Sequence, residues 1–527
     1  MTSSYSTFLK AAPRLGANTS LGACRAEAET LRQLAETLFE ASSYKAEFFS
    51  QWCRTIEAFS VSTLSESVAS EAELERLAMD FRRIWLNVAH QVVVDELRSP
   101  PYDHQPLLPI SQSHHFIYER VVGPDEIEQR LANQVEIQGW LHDTCLFANG
   151  LAAIVATISV LRDLRQHYQH RDSQYLQLDM FGGYFETLRL MSLMNSSDLK
   201  CCAFQDLDIV LDRFSHGESD ILFLEMIAYD FKQTVIDPAK LIQAVQERPG
   251  NRPWLLILDT TLLGPTFEIE PLLQAFGDRR PEVLFDIRSG LKLDQAGLEL
   301  SNVGVVRFFT PEERTKDKPT VEHIQKALIS IRKIMGSGLT YAQIAALDAP
   351  WIFHPEWMSR HSTAVLENNR YTAMALKDIG GIFSAVYHPA LTKLSHLSWA
   401  ESPLVVIELH QSQDTDANRT FLEAVIASEI KARKLVMYLG ASFGFRHHRC
   451  EILVPEGPYH YDDGSPRGFL KIAMGARSGP TMEGLITLIK DIAAYADFEA
   501  LRSDYANLRL ADHPIRFPNI DALRTRN

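Results

Sequence analysis

Two short apolar runs each end on a group that could do chemistry. Leu255-Leu256-Ile257-Leu258 stops at Asp259, which is followed by Thr260 and Thr261. Val283-Leu284-Phe285-Asp286-Ile287 runs through Arg288-Ser289-Gly290-Leu291 to Lys292. Runs of this length and make-up read as buried parallel strands, which deliver their last residues to the carboxyl edge of a sheet. An acid and an amine at two such strand ends are what a pyridoxal phosphate site asks of a protein. The lysine bonds the cofactor as a Schiff base, and the acid keeps the pyridinium nitrogen protonated so that the ring accepts electrons. Each signal alone is common, because most strand-end acids are structural and most such lysines are solvated.

The elements around these runs must place them. Cys145-Leu146-Phe147 leads through Ala148-Asn149-Gly150 into a helix rich in small residues, Leu151-Ala152-Ala153-Ile154. Bare N–H groups at that helix start would cradle a phosphate, or the small residues simply pack the helix closely on a sheet. Tyr175 to Leu178 reads as a strand, followed by Asp179-Met180-Phe181-Gly182-Gly183; the diglycine lets the backbone bring the Phe181 ring over a ligand. Ile221 to Glu225 and Val303 to Phe309 read as further strands, with helices between. This alternation predicts an α/β fold with a mainly parallel sheet covered on both faces. Long helices follow from about 320, then strands near Leu404–Glu408, Glu451–Val454 and Phe469–Met474, which predict a smaller α+β unit. Toward the N-terminus, 26–59 reads as helix, and Ser70-Glu71-Ala72-Glu73 reads as the capping box of a second helix. The expected division is a helical extension and linker over 1–110, a cofactor-binding domain over 111–340 and a C-terminal domain over 341–527.

Composition sets limits. At 527 residues the chain exceeds one ordinary domain. A formal net charge of −15 argues against nucleic acid or an anionic membrane as partner. The six cysteines form no C-x-x-C, so they read as reduced thiols in a cytoplasmic protein. Met1 to Tyr5 lacks a signal-peptide pattern, and no apolar run is long enough for a membrane span. The pairs His114-His115 and His447-His448 lack metal-ligand spacing with a third partner, so no metal site is expected.

Taken in order, the motifs resemble those of the Cys/Met-metabolism family of fold-type I pyridoxal phosphate enzymes, across roughly residues 110 to 500. Tyr118-Glu119-Arg120 is similar to the family's Y-x-R, and Ala148-Asn149-Gly150-Leu151-Ala152-Ala153 to its phosphate loop. Asp179 to Gly183 resembles D-x-Y-G-G, Asp259-Thr260-Thr261 resembles D-N-T, and Ser289-Gly290-Leu291-Lys292 resembles S-x-T-K. The resemblance implies a catalytic pair, Lys292 and Asp259. It implies a cofactor shell of Tyr118, Arg120, Asn149, Gly150, Leu151, Phe181, Tyr229, Thr261 and Ser289. Tyr118 and Arg120 would reach the neighbouring subunit's cofactor, which implies a homodimer or dimer of dimers with shared active sites.

The departures fall at the substrate end. Phe181 replaces the stacking tyrosine, Leu291 replaces a threonine, and Tyr229 stands near the family's asparagine. Lys471 replaces the arginine that binds the substrate carboxylate and loses its planar fork. Ser442, Arg446 and Arg449, in the stretch before Lys471, are the other candidates for substrate binding, with Arg449 favoured. The implied activity is γ-replacement or γ-elimination on an amino acid through a vinylglycine-type intermediate. The donor would be S-adenosylmethionine or an activated homoserine, as in specialised biosynthetic members. Two alternatives stand beside it: a β-lyase using the same residues, and a non-catalytic binding protein on the same fold.

Overall fold

The structure is a computed structural model that describes residues 22–41, 47–62, 65–95, 107–110, 123–134, 136–165, 174–250, 252–313, 318–455 and 459–508. Two sheets organise these residues. The larger has seven strands: β1 (Trp140–Phe147), β2 (Leu176–Phe181), β3 (Leu199–Phe204), β4 (Ile221–Glu225), β5 (Leu255–Asp259), β6 (Val283–Ser289) and β7 (Gly304–Pro311). Their spatial order is β1-β7-β6-β5-β4-β2-β3. Strands β6, β5, β4, β2 and β3 pair in parallel, while β7 runs antiparallel to both its neighbours. The sheet is thus mainly parallel, as expected, with one reversed strand near an edge.

Burial explains the composition of the central strands. Leu255 and Ile257 belong to one buried cluster and Leu256 and Leu258 to another. Successive side chains point to opposite faces, and both faces are covered, so the run is apolar throughout. The chain's change of character comes where the strand meets the sheet edge, at Asp259.

The smaller sheet holds β8 (Phe383–Tyr387), β9 (Val405–Leu409), β10 (Met437–Leu439), β11 (His448–Leu453) and β12 (Phe469–Ala473), in the order β10-β11-β12-β9-β8. It is mostly antiparallel, with β10 and β11 parallel. Helices Asp416–Ala432 and Pro480–Ala493 supply Val425, Ile426, Leu485 and Ile489 to the cluster that covers one face of it.

The N-terminal part is three helices: α1 (Ala23–Ala41), α2 (Glu47–Ser62) and α3 (Val68–Asp95). The single helix expected over 26–59 is therefore two. The two pack against each other, which one continuous helix could not do. Helix α3 starts earlier than the Ser70 capping box predicts, because Ser67 accepts the Ser70 N–H at 3.2 Å and is the real cap. These helices share one buried cluster with Trp351, Phe353, Leu298 and Val303. Trp85 is fully buried and donates its indole N–H to the Ala346 carbonyl at 2.8 Å. No helix among the described residues is long and apolar enough to cross a membrane.

Candidate active site at the carboxyl edge of the large sheet

Adjacent strands β4, β5 and β6 bring Glu225, Asp259 and the turn after Ser289 to one edge. Glu225 and Asp259 lie opposite each other in register, as do Asp259 and Ile287. Asp259 accepts the Thr261 N–H at 2.9 Å, and the Thr261 hydroxyl accepts the Ser289 N–H at 3.1 Å. This ties the two strand ends together. Burial pushes the Asp259 carboxyl above its usual range, against the hydrogen bond from Thr261.

Lys292 follows β6 by three residues. Its ammonium donates to Ser442 Oγ at 2.5 Å and lies 5.2 Å from the centre of the Phe443 ring. Burial lowers its pKa to about 8, helped by the positive charges of Arg449 and Lys471 and opposed by Glu299 and Glu186. The loop carrying Ser442 fits only because Gly444 adopts φ +82°; a Cβ there would sit 2.6 Å from the Lys292 carbonyl oxygen.

The helix Gly150–Asp163 points its N-terminus at the same edge. Asn149 caps it, accepting the Ala152 N–H at 2.8 Å, which leaves the Gly150 and Leu151 N–H groups without a partner among the described residues. The Cβ position of Gly150 is 3.4 Å from Ser289 Cβ, so these donors and the Ser289 hydroxyl share one spot. Gly304 on β7 makes room, since a Cβ there would clash with the Asn149 carbonyl.

The small sheet supplies the opposite wall. Arg449 and Glu451 alternate onto one face of β11, and Lys471 is paired with Glu451 in register. Lys471 is buried and makes three polar contacts among the described residues. It donates to the Ala441 carbonyl, donates to the Tyr229 hydroxyl at 3.3 Å, and pairs with Glu451 at 3.5 Å. Arg449 donates Nε–H to His447 Nε2 at 2.9 Å and one terminal nitrogen to Glu299 at 3.1 and 3.2 Å. Its other terminal nitrogen has no hydrogen-bond partner among the described residues.

Three sequence expectations need comment. Arg446 does not face this site: it is buried, paired with Glu27 of α1, and donates to the Ala296 carbonyl at 3.0 Å. A buried carboxylate holds it because an uncompensated charge there would be costly. Phe181 is 2% exposed and part of the core cluster that includes Leu224 and Leu258. Tyr118 and Arg120 lie outside the described residues.

Other residues at the site were not singled out from sequence. Tyr184, just after the diglycine, stacks edge-on against Tyr229 with ring centres 5.5 Å apart and donates to Glu186 at 2.6 Å. Burial, Glu186, Tyr229 and Asp259 all raise its pKa. Glu225 accepts three N–H groups, from Gly183, Tyr184 and Tyr229, at 2.9, 3.0 and 2.8 Å. Burial and the charge of Asp259 still push it up to about 7. Its signal was present, since Ile221-Leu222-Phe223-Leu224-Glu225 ends on an acid just as β5 does.

Comparison with solved structures places the fold. Cystathionine γ-lyase from yeast superposes with a TM-score of 0.50 at 16% identity, covering 78% of this chain and 98% of that one. The chain has the fold of these enzymes. Cystathionine γ-synthase from Xanthomonas oryzae pv. oryzae, in complex with cystathionine, gives 0.50 at 14% identity over 80% and 98%. A putative O-acetylhomoserine (thiol)-lyase from Campylobacter jejuni gives 0.50 at 15% over 72% and 88%, and carries an N'-pyridoxyl-lysine-5'-monophosphate. No family model and no curated protein matches the sequence. The resemblance read from the ordered motifs therefore stands at the level of the fold, fold-type I.

Proposed function

We propose that this chain is a pyridoxal phosphate enzyme that eliminates or replaces a γ-substituent of an amino acid. The observation that carries the reading is the pair Asp259 and Lys292 at the ends of adjacent strands, with Lys292 depressed to about 8. A desolvated lysine and a buried acid, carried by adjacent strands, cost stability and are expected where chemistry needs them. The donor set fits the cofactor. Lys292 would hold it covalently, and Asp259 would face its ring nitrogen. The Gly150 and Leu151 N–H groups and the Ser289 hydroxyl would take its phosphate. Tyr184 is the half-buried ring beside Asp259.

When bound, pyridoxal phosphate draws electron density from the substrate's α-carbon, so that α- and then β-protons become acidic enough to remove. Lys292 is the residue to move those protons: with a pKa near 8 it is a base in a useful fraction of molecules at neutral pH. The buried Phe443 ring limits water around it. Arg449 offers a free terminal nitrogen to the substrate carboxylate. Lys471 is tied to the Ala441 carbonyl and the Tyr229 hydroxyl and pairs with Glu451, which supports Arg449 over Lys471 for that role. The γ-lyase, γ-synthase and thiol-lyase names of the structural neighbours support γ- over β-chemistry. The expected donor is an activated homoserine or S-adenosylmethionine, and the expected assembly a homodimer or dimer of dimers with shared sites.

The test is direct. The protein is reconstituted with pyridoxal phosphate, reduced with borohydride and digested for peptide mass mapping. A pyridoxyl adduct on Lys292 is expected. An adduct on Lys471, or none, would overturn the assignment.

A further inference from the structure

Arg449 is held on two sides, and both supports lead to helix α3. On one side, Arg449 Nε–H donates to His447 Nε2 at 2.9 Å. A guanidinium can only donate, so His447 Nε2 accepts and the imidazole carries its hydrogen on Nδ1. That Nδ1 faces Glu75 Oε1 of α3 at 3.4 Å. Glu75 is 3% exposed and also meets Arg477 at 3.1 Å and the Tyr438 hydroxyl at 3.3 Å. The Tyr438 ring lies edge-on to His447, with centres 4.5 Å apart.

On the other side, Arg449 donates to Glu299. Glu299 sits at φ +49°, and Ala296 of the same turn at φ +48°, conformations that residues with side chains rarely adopt. Arg82 of α3 clamps that turn. Its Nε donates to the Leu298 carbonyl at 2.8 Å, and a terminal nitrogen donates to the Glu299 carbonyl at 2.8 Å. A residue in a strained conformation, clamped from outside, thus presents its carboxylate to Arg449, whose charge acts on Lys292.

We propose that helix α3 is the positioning element of the substrate end, with Glu75 acting through His447 and Arg82 acting through Glu299 to set Arg449. This rests on the reading that Arg449 takes the α-carboxylate of an amino acid. A purely structural role for α3 is served by other contacts: the Trp85 bond to Ala346, the pairing of Glu71 with Thr481, and the apolar cluster with Trp351 and Phe353. The His447–Arg449 step and the left-handed Glu299 add nothing to that anchoring. They make sense if the geometry of Arg449 is what is being fixed, because a carboxylate must be held rigidly for the bond at the α-carbon to align with the ring that activates it.

The experiment uses the full chain reconstituted with pyridoxal phosphate, and the variants Arg449→Met, His447→Leu, His447→Gln and Arg82→Met. Two quantities are measured. One is the ratio of affinities for L-methionine and L-methioninamide, followed by the cofactor's absorbance; the pair differs only in the carboxylate. The other is the pH midpoint of that absorbance band without ligand, which senses the Arg449 charge. Arg449→Met should abolish the preference for the acid over the amide. His447→Leu and Arg82→Met should each cut it by about fivefold or more and raise the pH midpoint by about half a unit, while His447→Gln, which keeps an acceptor, stays near wild type. If Arg449→Met changes both quantities and the His447 and Arg82 variants change neither, the positioning role is wrong while the carboxylate reading survives. If Arg449→Met itself leaves the preference intact, the carboxylate reading fails and the proposal falls with it.

Discussion

Lys292, carried by the large sheet, donates to Ser442, carried by the loop that precedes β11 of the small sheet, at 2.5 Å. This bond joins the two halves of the site across the junction of the sheets. A hydroxyl acceptor also stabilises the ammonium, in a place where burial works against it. Replacing Ser442 with Ala removes the acceptor and leaves the desolvation. The cofactor-free Lys292 pKa should then fall from about 8 by roughly one further unit, the size of a hydrogen bond to a charged group. The pH dependence of Lys292 acetylation, read by peptide mass spectrometry, measures this. An unchanged midpoint means the bond does not govern the lysine.

The same burial has a stability consequence. In the unfolded chain Lys292 has its ordinary value of 10.5, and in the folded protein about 8. Below pH 8 the folded state must hold the buried charge, so the cost is fully present there. It disappears as pH rises from 8 to 10.5, where the folded state has already released its proton. Lys292→Met should therefore stabilise the cofactor-free protein by about 3 kcal/mol at pH 7 and by much less near pH 10.5. Thermal melts of both proteins at the two pH values decide it; an equal gain at both would show that the lysine is not held below its ordinary pKa.

Shared active sites predict complementation. Arg120, in the Tyr118-Glu119-Arg120 motif, is expected to serve the cofactor of a second copy, while Lys292 serves its own. Arg120→Ala and Lys292→Ala proteins should each be inactive. Mixed under conditions where subunits exchange, they should recover about a quarter of wild-type activity per site, from hybrids with one intact site. No recovery after verified exchange would count against a site built from two copies.

The strand ends were legible in the sequence because burial forces the central strands to be apolar on both faces, so the first acid marks the sheet edge. Asp259 and Glu225 both announce themselves in this way, and the turn to Lys292 follows from the next strand. The reversed direction of β7 was not legible, since an apolar run reads the same both ways; only its pairing with β1 and β6 reveals it. Strands β8 and β10 were not legible because they are short and only partly buried at the edges of the small sheet. Arg449 was favoured from sequence, but the separate burial of Arg446 was not legible, for a different reason. Their roles are set by carboxylates 419 and 150 positions away, Glu27 and Glu299, and no local pattern carries that distance.

The final prediction separates the three basic candidates at the substrate end. Arg449 has a terminal nitrogen with no hydrogen-bond partner among the described residues and two supports, so Arg449→Lys should keep the charge but lose the planar geometry. Amino-acid binding to the cofactor-loaded protein should weaken by about 1–3 kcal/mol, with little loss of fold stability. Arg446 is the opposite case. It is 4% exposed and pairs with Glu27, which is itself buried and kept ionised against its burial by Arg446 and Arg477. Removing Arg446 leaves Glu27 with Arg477 alone, at 3.4 Å. Arg446→Met should cost about 3 kcal/mol of stability and lower the melting temperature, without a specific effect on carboxylate recognition in the molecules that remain folded. Lys471→Met should fall between them: it removes the charge beside Glu451 and frees Tyr229, while Arg449 stays in place to hold the carboxylate. Ligand titrations and melts on the three variants in parallel give the answer. A binding loss confined to Lys471→Met, with both arginine variants binding as wild type, would make the lysine the carboxylate ligand and overturn the assignment to Arg449.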